Sequence, residues 1–328
     1  MAGNIWVLAE QFRGQVSEIT YELLALGREL ADALGVPLEA VLLGHQARQL
    51  ADALGMAGTV LYADHAALAE PTPEACVQAL AQLIRERQPG SLLLPLTNVT
   101  LDVATLLPAQ LEAPFLNFCR DVRVAEGAIQ ALCVLYGGKM EATVAVQGEP
   151  VILGLLPGAR AAEKGRSDQK PQIEDVQVTL PDTLRVQFKK YLEPEAGDVD
   201  ITKQDVLVSV GRGIQTQDNI ALAEELAQAL GGAVSGSRPV IDQGWLPLSR
   251  QVGKSGAAVK PKLYLALGIS GAPEHVEGMR GAEVIIAINT DAHAPIFNVA
   301  HYGVVGDLFD IVPPLTEEIN KRRQSHAA

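Results

Sequence analysis

The chain has 328 residues, 48% of them hydrophobic and 20% charged, a globular composition with length for about two domains. Its 26 Lys and Arg against 39 Asp and Glu give a net charge of −13, which argues against a nucleic-acid partner but not against a single nucleotide held by backbone amides. No apolar run approaches the roughly 20 residues of a membrane span, and the start MAGNIWVLAEQ lacks the basic region and apolar core of a signal peptide.

Over the first part of the chain, short apolar runs alternate with amphipathic stretches. Strands are predicted at Ile5–Ala9, Leu38–Leu43, Thr59–Tyr62 and Ser91–Pro95, and helices at about Val16–Leu34, Gln46–Leu54, Pro73–Arg87 and Leu101–Leu111. Gly35 and Gly55 follow two of these helices, as helix ends often require. The alternation implies right-handed βαβ units and a parallel sheet.

From Asn117 the rhythm changes to DVRVAEG, AIQALCVLYGG, MEATVAVQGEP and VILGLLPG, separated by Gly and Pro. These four runs predict an antiparallel meander. The polar stretch Ala161–Glu174 reads as exposed, and strands are expected at Val176–Leu180 and Leu184–Tyr191. The acidic segment LEPEAGDVDITKQ is the linker candidate, which sets domains at 1–195 and 196–328.

Alternation resumes beyond it, with a strand at Asp205–Val210, a helix at Asp218–Leu230 and strand-like runs in AVSGSRPVID, LYLALG, EVIIAIN and GVVGDL. The fold class expected is therefore α/β throughout. An N-terminal parallel-sheet domain carries an added antiparallel meander, and a smaller doubly wound parallel domain follows. The polar tail closes with Lys321-Arg322-Arg323 at the negative end of a helix.

Cys76, Cys119 and Cys133 form no C-x-x-C and have no nearby His at ligand spacing. Neither a disulfide framework nor a zinc site is expected, and a cytoplasmic location follows as the simplest reading.

The unusual stretches gather in the second domain, after the carboxyl ends of predicted strands, where open parallel sheets bind ligands. In GISGAPEH, Gly268 and Gly271 permit a sharp turn, and Pro273 suits the first turn of a helix. This is a helix start suited to phosphate, or a plain strand-to-helix turn. QVGKSG lacks the spacing of a phosphate-binding P-loop. Arg212 and Arg238 can pair with phosphate, stack on a planar ring, or join surface ion pairs. His275 is either a solvated helix residue or a donor to a carbonyl on a bound ring. Asp242 and Asp307 are loop acids that can also bond a ribose hydroxyl.

SGSRPVID, QVGKSG, LYLALGISGAPEH, AINTDAHAPIF and YGVVGDLFDIVPPL, in that order and spacing, strongly resemble the FAD-binding domain of the electron-transfer flavoprotein α subunit. IWVLAE and LYGGKMEATV are similar to that family's first domain, so the resemblance spans essentially the whole chain. It implies an electron carrier, not an enzyme, that holds FAD in its second domain. Its partner would be a β subunit holding AMP, or a second FAD in electron-bifurcating relatives. Electrons would come from acyl-CoA-type dehydrogenases, as in fatty acid β-oxidation, and pass to a quinone oxidoreductase; bifurcating members take them from NADH.

By position, the resemblance implies FAD contacts from Arg212, Ser237 and Arg238, with Arg238 near the isoalloxazine, where a cation favours reduced, anionic flavin. Gln251, Val252, Gly253, Lys254 and Ser255 would line the ring, with the Ser255 hydroxyl near N5. Gly268, Ser270, Gly271, Ala272, Pro273, Glu274 and His275 would also contact the cofactor, His275 reaching the O2 side. Asn289, Asp307 and Leu308 would hold the ADP half. Many relatives carry Gln-Thr where this chain has Lys254-Ser255. A Lys254 ammonium turned toward the ring would raise its potential; one turned to solvent would not.

Overall fold

The computed structural model describes residues 3–125, 127–146, 148–181, 183–191 and 199–327. The chain divides into two units, Met1–Lys190 and Tyr191–Ala328. Most of the linker candidate, including the boundary expected at 195, lies outside the described residues.

The first unit runs β1 (Ile5–Ala9), β2 (Gln11–Phe12), β3 (Gln15–Val16), α1 (Glu18–Leu34), β4 (Leu38–Gly44), β5 (Thr59–Asp64), α2 (Pro73–Arg87), β6 (Ser91–Pro95), α3 (Leu101–Leu111), β7 (Phe115–Ala125), β8 (Ala128–Leu135), β9 (Met140–Ala145), β10 (Val151–Leu155) and β11 (Gln172–Val176). Nine of these strands form one sheet in the order β11-β5-β4-β1-β6-β10-β7-β8-β9. Both faces of its centre are covered. Ile5 and Val7 of β1 pack in one core with Leu23, Leu26 and Leu30 of α1, while Trp6 and Leu8 pack in another with residues of α2 and α3. That double burial is why β1 reads as one uninterrupted apolar run.

The meander has three antiparallel strands, β7, β8 and β9. The fourth run, β10, instead inserts parallel between β6 and β7. All five of its residues are buried, as a central parallel strand demands, whereas β9 alternates in exposure.

The polar stretch Ala161–Glu174 is not wholly exposed. Ala162 and Gly165 are buried in a short 3-10 turn, and its last residues open β11, which pairs with β5 at the sheet edge. That strand is polar because it is an edge, with Arg48 Nε 3.1 Å from Asp175 Oδ1 and Arg87 bonded to Glu174. Beyond Val176, the two expected strands are irregular. Side chains of α2 take their backbone donors in place of a ladder. Thr179 N–H donates to Gln82 Oε1 at 2.8 Å and Arg185 N–H to Glu74 Oε2 at 2.7 Å.

The helix expected over Gln46–Leu54 is a 3-10 stretch, Arg48–Ala53, with Ala51 as its buried residue. Ala47, Ala51 and Leu54 of this span do face the core, but they are small or terminal, and the stretch closes as a short 3-10 turn. Cys119 and Cys133 face each other across β7 and β8 with sulfurs 3.9 Å apart, and both are free thiols.

The second unit contains β12 (Val206–Val210), α4 (Ile220–Leu230), β13 (Ala233–Gly236), α5 (Arg238–Asp242), β14 (Leu263–Leu267), α6 (Pro273–Met279), β15 (Val284–Asn289), β16 (Tyr302–Val305) and α7 (Leu308–Ala327). Its five strands are parallel, in the order β13-β12-β14-β15-β16. Leu207, Tyr264 and Ala266 face one core with Met279 of α6, and Val208, Val210 and Leu265 face the other with α4 and α7. Among the described residues, no helix is long and apolar enough to cross a membrane.

Candidate functional site

In the second unit the chain leaves β12 toward β13 on one side and resumes with β14 on the other, so the strand order reverses between β12 and β14. The loops that follow these two strands diverge there, which is the ligand-binding edge of an open α/β sheet. The Gly211–Ile214 turn is fastened to its neighbour. Gly211 N–H donates to Leu267 O at 2.9 Å, and Gly213 N–H to Gly268 O at 3.1 Å.

Gly268 has φ +61°, and a Cβ there would meet Gly213 Cα at 2.6 Å; Gly271 has φ +87°, and its Cβ would meet Ile296 N at 2.2 Å. Both glycines do permit the sharp turn expected of them. The backbone that approaches them, however, belongs to the protein itself. Ile296 N–H donates to Ser270 O at 3.0 Å, closing the second contact. Arg212 is exposed on the first of these turns, and Ser270 and Ala272 are exposed on the second.

After β13, Ser237 is buried, and its N–H donates to Val210 O at 3.0 Å. It precedes α5, in which Pro239 holds the first turn. Arg238 projects outward with its side chain 68% exposed and Nε 3.5 Å from Asp242 Oδ2.

The Gln251–Ser255 segment is anchored beside β13, where Val252 N–H donates to Gly236 O at 2.9 Å. The buried Gln251 amide donates to Ser255 Oγ at 2.9 Å. An accepting hydroxyl keeps its own hydrogen, so Ser255 retains a donor to offer. Lys254 Nζ lies 3.7 Å from Glu277 Oε2 of α6, both side chains about half exposed (49% and 54%). The loop is not a P-loop: it returns on itself through Ala257 N–H to Gln251 O at 2.8 Å.

Pro273 opens α6, and Glu274 beside it is exposed. His275 is not a solvated helix residue. It is buried, Nε2 is 2.9 Å from Tyr264 Oη, and Nδ1 is 3.1 Å from Val252 O. Both ring nitrogens thus have protein partners. Burial lowers its pKa to about 4, so the imidazole is neutral at pH 7.

At the far side of the rim, Asn289 Nδ2 donates to Ile269 O at 2.9 Å, and Oδ1 accepts from Asp291 N–H at 2.9 Å. Asp307 caps α7: Oδ1 accepts from Phe309 N–H at 2.9 Å, and its carbonyl accepts from Asp310 and Ile311. Leu308 is buried in the α4/α7 core, which leaves its side chain no part in a rim contact. The expected residues therefore gather along one rim, but Asp307 and Leu308 follow β16, two strands from β14.

Sequence reading missed Tyr264, Ser209 and Ser235. All three are fully buried, and the two serine hydroxyls lie by the Tyr264 phenol. The signal was present, since a serine inside VLVSV or AVSG is a polar residue at a core position.

The electron transfer flavoprotein domain model matches residues 5–181, and the electron transfer flavoprotein FAD-binding domain model matches 200–280. The chain belongs to the electron transfer flavoprotein family. It is 38% identical to Protein FixB of Clostridium saccharobutylicum over 95% of each chain. It is 35% identical to the electron transfer flavoprotein subunit alpha of Thermoanaerobacterium thermosaccharolyticum, over 97% of this chain and 98% of that one. It is also 35% identical to the acryloyl-CoA reductase electron transfer subunit beta of Anaerotignum propionicum, over 98% and 97%. As an α subunit of this family, the chain is an electron carrier rather than an enzyme, and its second unit is the FAD-binding domain.

Proposed function

We propose that the carboxyl rim of the C-terminal sheet holds FAD, and that the chain works with an electron transfer flavoprotein β subunit. The heterodimer carries electrons from acyl-CoA-type dehydrogenases to a quinone oxidoreductase. The observation that supports this reading most is the set of exposed donors on one rim of an acidic chain. Arg212, Arg238, Lys254 and Ser255 all line it. Two guanidinium groups suit an anionic diphosphate or a ring that gains negative charge. The spare Ser255 hydrogen suits a ring nitrogen, and the exposed Ser270 and Ala272 leave room beside it. The residues present therefore fit the cofactor.

Bound FAD would supply a ring able to take up one or two electrons. The chain's residues would bind and tune it. Arg238, exposed and held by one acidic partner 3.5 Å away, can swing onto an anion at little cost. Lys254 sits beside Glu277, and that carboxylate offsets its charge, so it contributes little to the potential. The β subunit would hold AMP, and a cytoplasmic location agrees with this role.

A second reading is favoured by one relative, whose name makes it the electron transfer subunit of an acryloyl-CoA reductase. Electrons there run toward an acyl-CoA substrate. For this chain, that direction would call for NADH as donor and a second FAD in the β subunit.

Co-purification with the β subunit, followed by a count of flavin and AMP, tests both readings. One FAD and one AMP per heterodimer supports the first, and two FAD with bleaching by NADH supports the second. A colourless complex in excess FAD would overturn both. Arg238→Ala should weaken FAD retention about ten-fold, the loss of one charge-assisted bond, and lower the flavin potential. An unchanged reductive titration would remove Arg238 from the site.

A further inference from the structure

Beneath the rim lies a hydrogen-bond chain that starts at Tyr264, a residue to which the FAD reading gives no part. The Val252 carbonyl can only accept, so the His275 Nδ1 that lies 3.1 Å from it carries a hydrogen. A neutral imidazole has a single N–H, which leaves Nε2 bare. The Tyr264 hydroxyl, 2.9 Å from Nε2, must therefore be the donor. The chain runs one way, from Tyr264 O–H to His275 and from His275 N–H to Val252 O. Every link is buried, and such links reinforce one another where the local dielectric is low. The fully buried Ser209 and Ser235 hydroxyls stand on β12, beside Tyr264's strand, and on β13 beyond it, and they offer the phenol polar groups.

Val252 opens the loop that carries Gly253, Lys254 and Ser255, and that loop is fastened to α6 elsewhere too. Lys254 N–H donates to Glu274 O at 2.7 Å, and Val259 N–H to Gly278 O at 2.8 Å. Gly278 lies so close that a Cβ there would meet Gly253 Cα at 2.5 Å. The His275 link is the buried one made by a side chain, unlike the half-exposed Lys254–Glu277 pair, and it reaches back to the sheet through Tyr264 of β14. It thus joins three elements: strand, helix and loop.

We propose that Tyr264 and His275 are positioning residues, a one-way clamp that holds the Val252 carbonyl and so sets where the Val252–Ser255 loop stands. The proposal rests on the reading that this loop lines FAD. It gives His275 a different task from touching the ring.

The test uses the full-length chain with and without FAD. Tyr264→Phe removes the first donor. His275→Leu removes both links, and His275→Gln can rebuild them, since one amide both donates and accepts. In FAD-free protein, amide hydrogen exchange across 252–256 should quicken about ten-fold in Tyr264→Phe. It should quicken further in His275→Leu and stay near wild type in His275→Gln, while β12 and β15 exchange as before. FAD dissociation should follow the same order. Unchanged loop exchange in Tyr264→Phe, or a His275→Gln variant no better than His275→Leu, would overturn the clamp. Loop exchange that responds while FAD release does not would instead overturn the placing of FAD on this loop. Should His275→Leu not fold, Tyr264→Phe and His275→Gln carry the comparison.

Discussion

The two units carry the same kind of rim and use it in opposite ways. In the first unit, the loops after β1 and β6 meet at the point where strand order reverses, as those after β12 and β14 do in the second. There, however, Glu10 is buried and accepts from the hydroxyls of Thr97 and Thr100, the latter at 3.2 Å. Ala47 N–H donates to Tyr62 Oη at 2.8 Å, and His45 Nδ1 lies 2.9 Å from Asp64 Oδ1. The cavity among Leu8, Glu10, Leu43, Leu68, Cys76 and Thr100 measures about 20 Å³, room for about one water. Polar groups on this rim answer one another. On the second rim, Arg212, Arg238, Ser255 and Ser270 point to solvent. A parallel sheet offers an edge for ligands, but the capacity to bind depends on whether that edge's donors and acceptors are already matched from within.

The sharpest test of the contrast is acid. The His275 pKa falls from 6.5 to about 4 on folding. The unfolded chain therefore takes up a proton that the folded one refuses, and the second unit loses stability as pH falls from about 6.5 toward 4, by about 3 kcal/mol in all. Urea midpoints at the two ends of that window should show the loss in wild type and not in His275→Gln; equal slopes would remove His275 as its source. Next in size, Glu10→Ala should destabilise the first unit by about 2 kcal/mol, since two hydroxyls lose their buried acceptor. FAD retention should not change, and a fall would mean that the first rim takes part in binding.

Asp307→Ala should cost about 1 kcal/mol through the lost α7 cap. Thermal melts with and without FAD separate two roles, because an equal loss assigns Asp307 to the helix and a loss confined to the FAD-bound protein assigns it to the cofactor. Smallest of all, Lys254→Gln should change stability by less than about 0.5 kcal/mol, as expected of a half-exposed pair, and hardly move the flavin potential. A clear drop in potential would place the ammonium at the ring rather than beside Glu277.

Much of this molecule was legible before folding. Ile5–Ala9, Ser91–Pro95, Pro73–Arg87 and Leu101–Leu111 have the bounds their apolar spacing predicts, because each element buries a stripe or face whose period is written locally. The rim stretches were legible too, since Gly, Ser and Arg after an apolar strand stand out against the core pattern. Illegible were the place of β10, whose apolar run suits a meander or a central strand equally, and β11, whose polarity looks like that of a loop. His275 and Leu308 gave no sign of their burial, and nothing in the sequence showed that Asp307 also caps α7 through Phe309 and Ile311.

The order of apolar periods along the chain determined by itself that this is a two-part α/β protein with its unusual loops in the second part, and the wording of those loops carried the resemblance to the electron transfer flavoprotein family. Tertiary structure alone decided which polar side chains stay available. Periodicity is a property of neighbours in sequence, whereas a hydrogen-bond partner arrives from elsewhere in the chain. Tyr264 reaches His275 across 11 residues and His275 reaches Val252 across 23, and Glu10 meets Thr100 across 90.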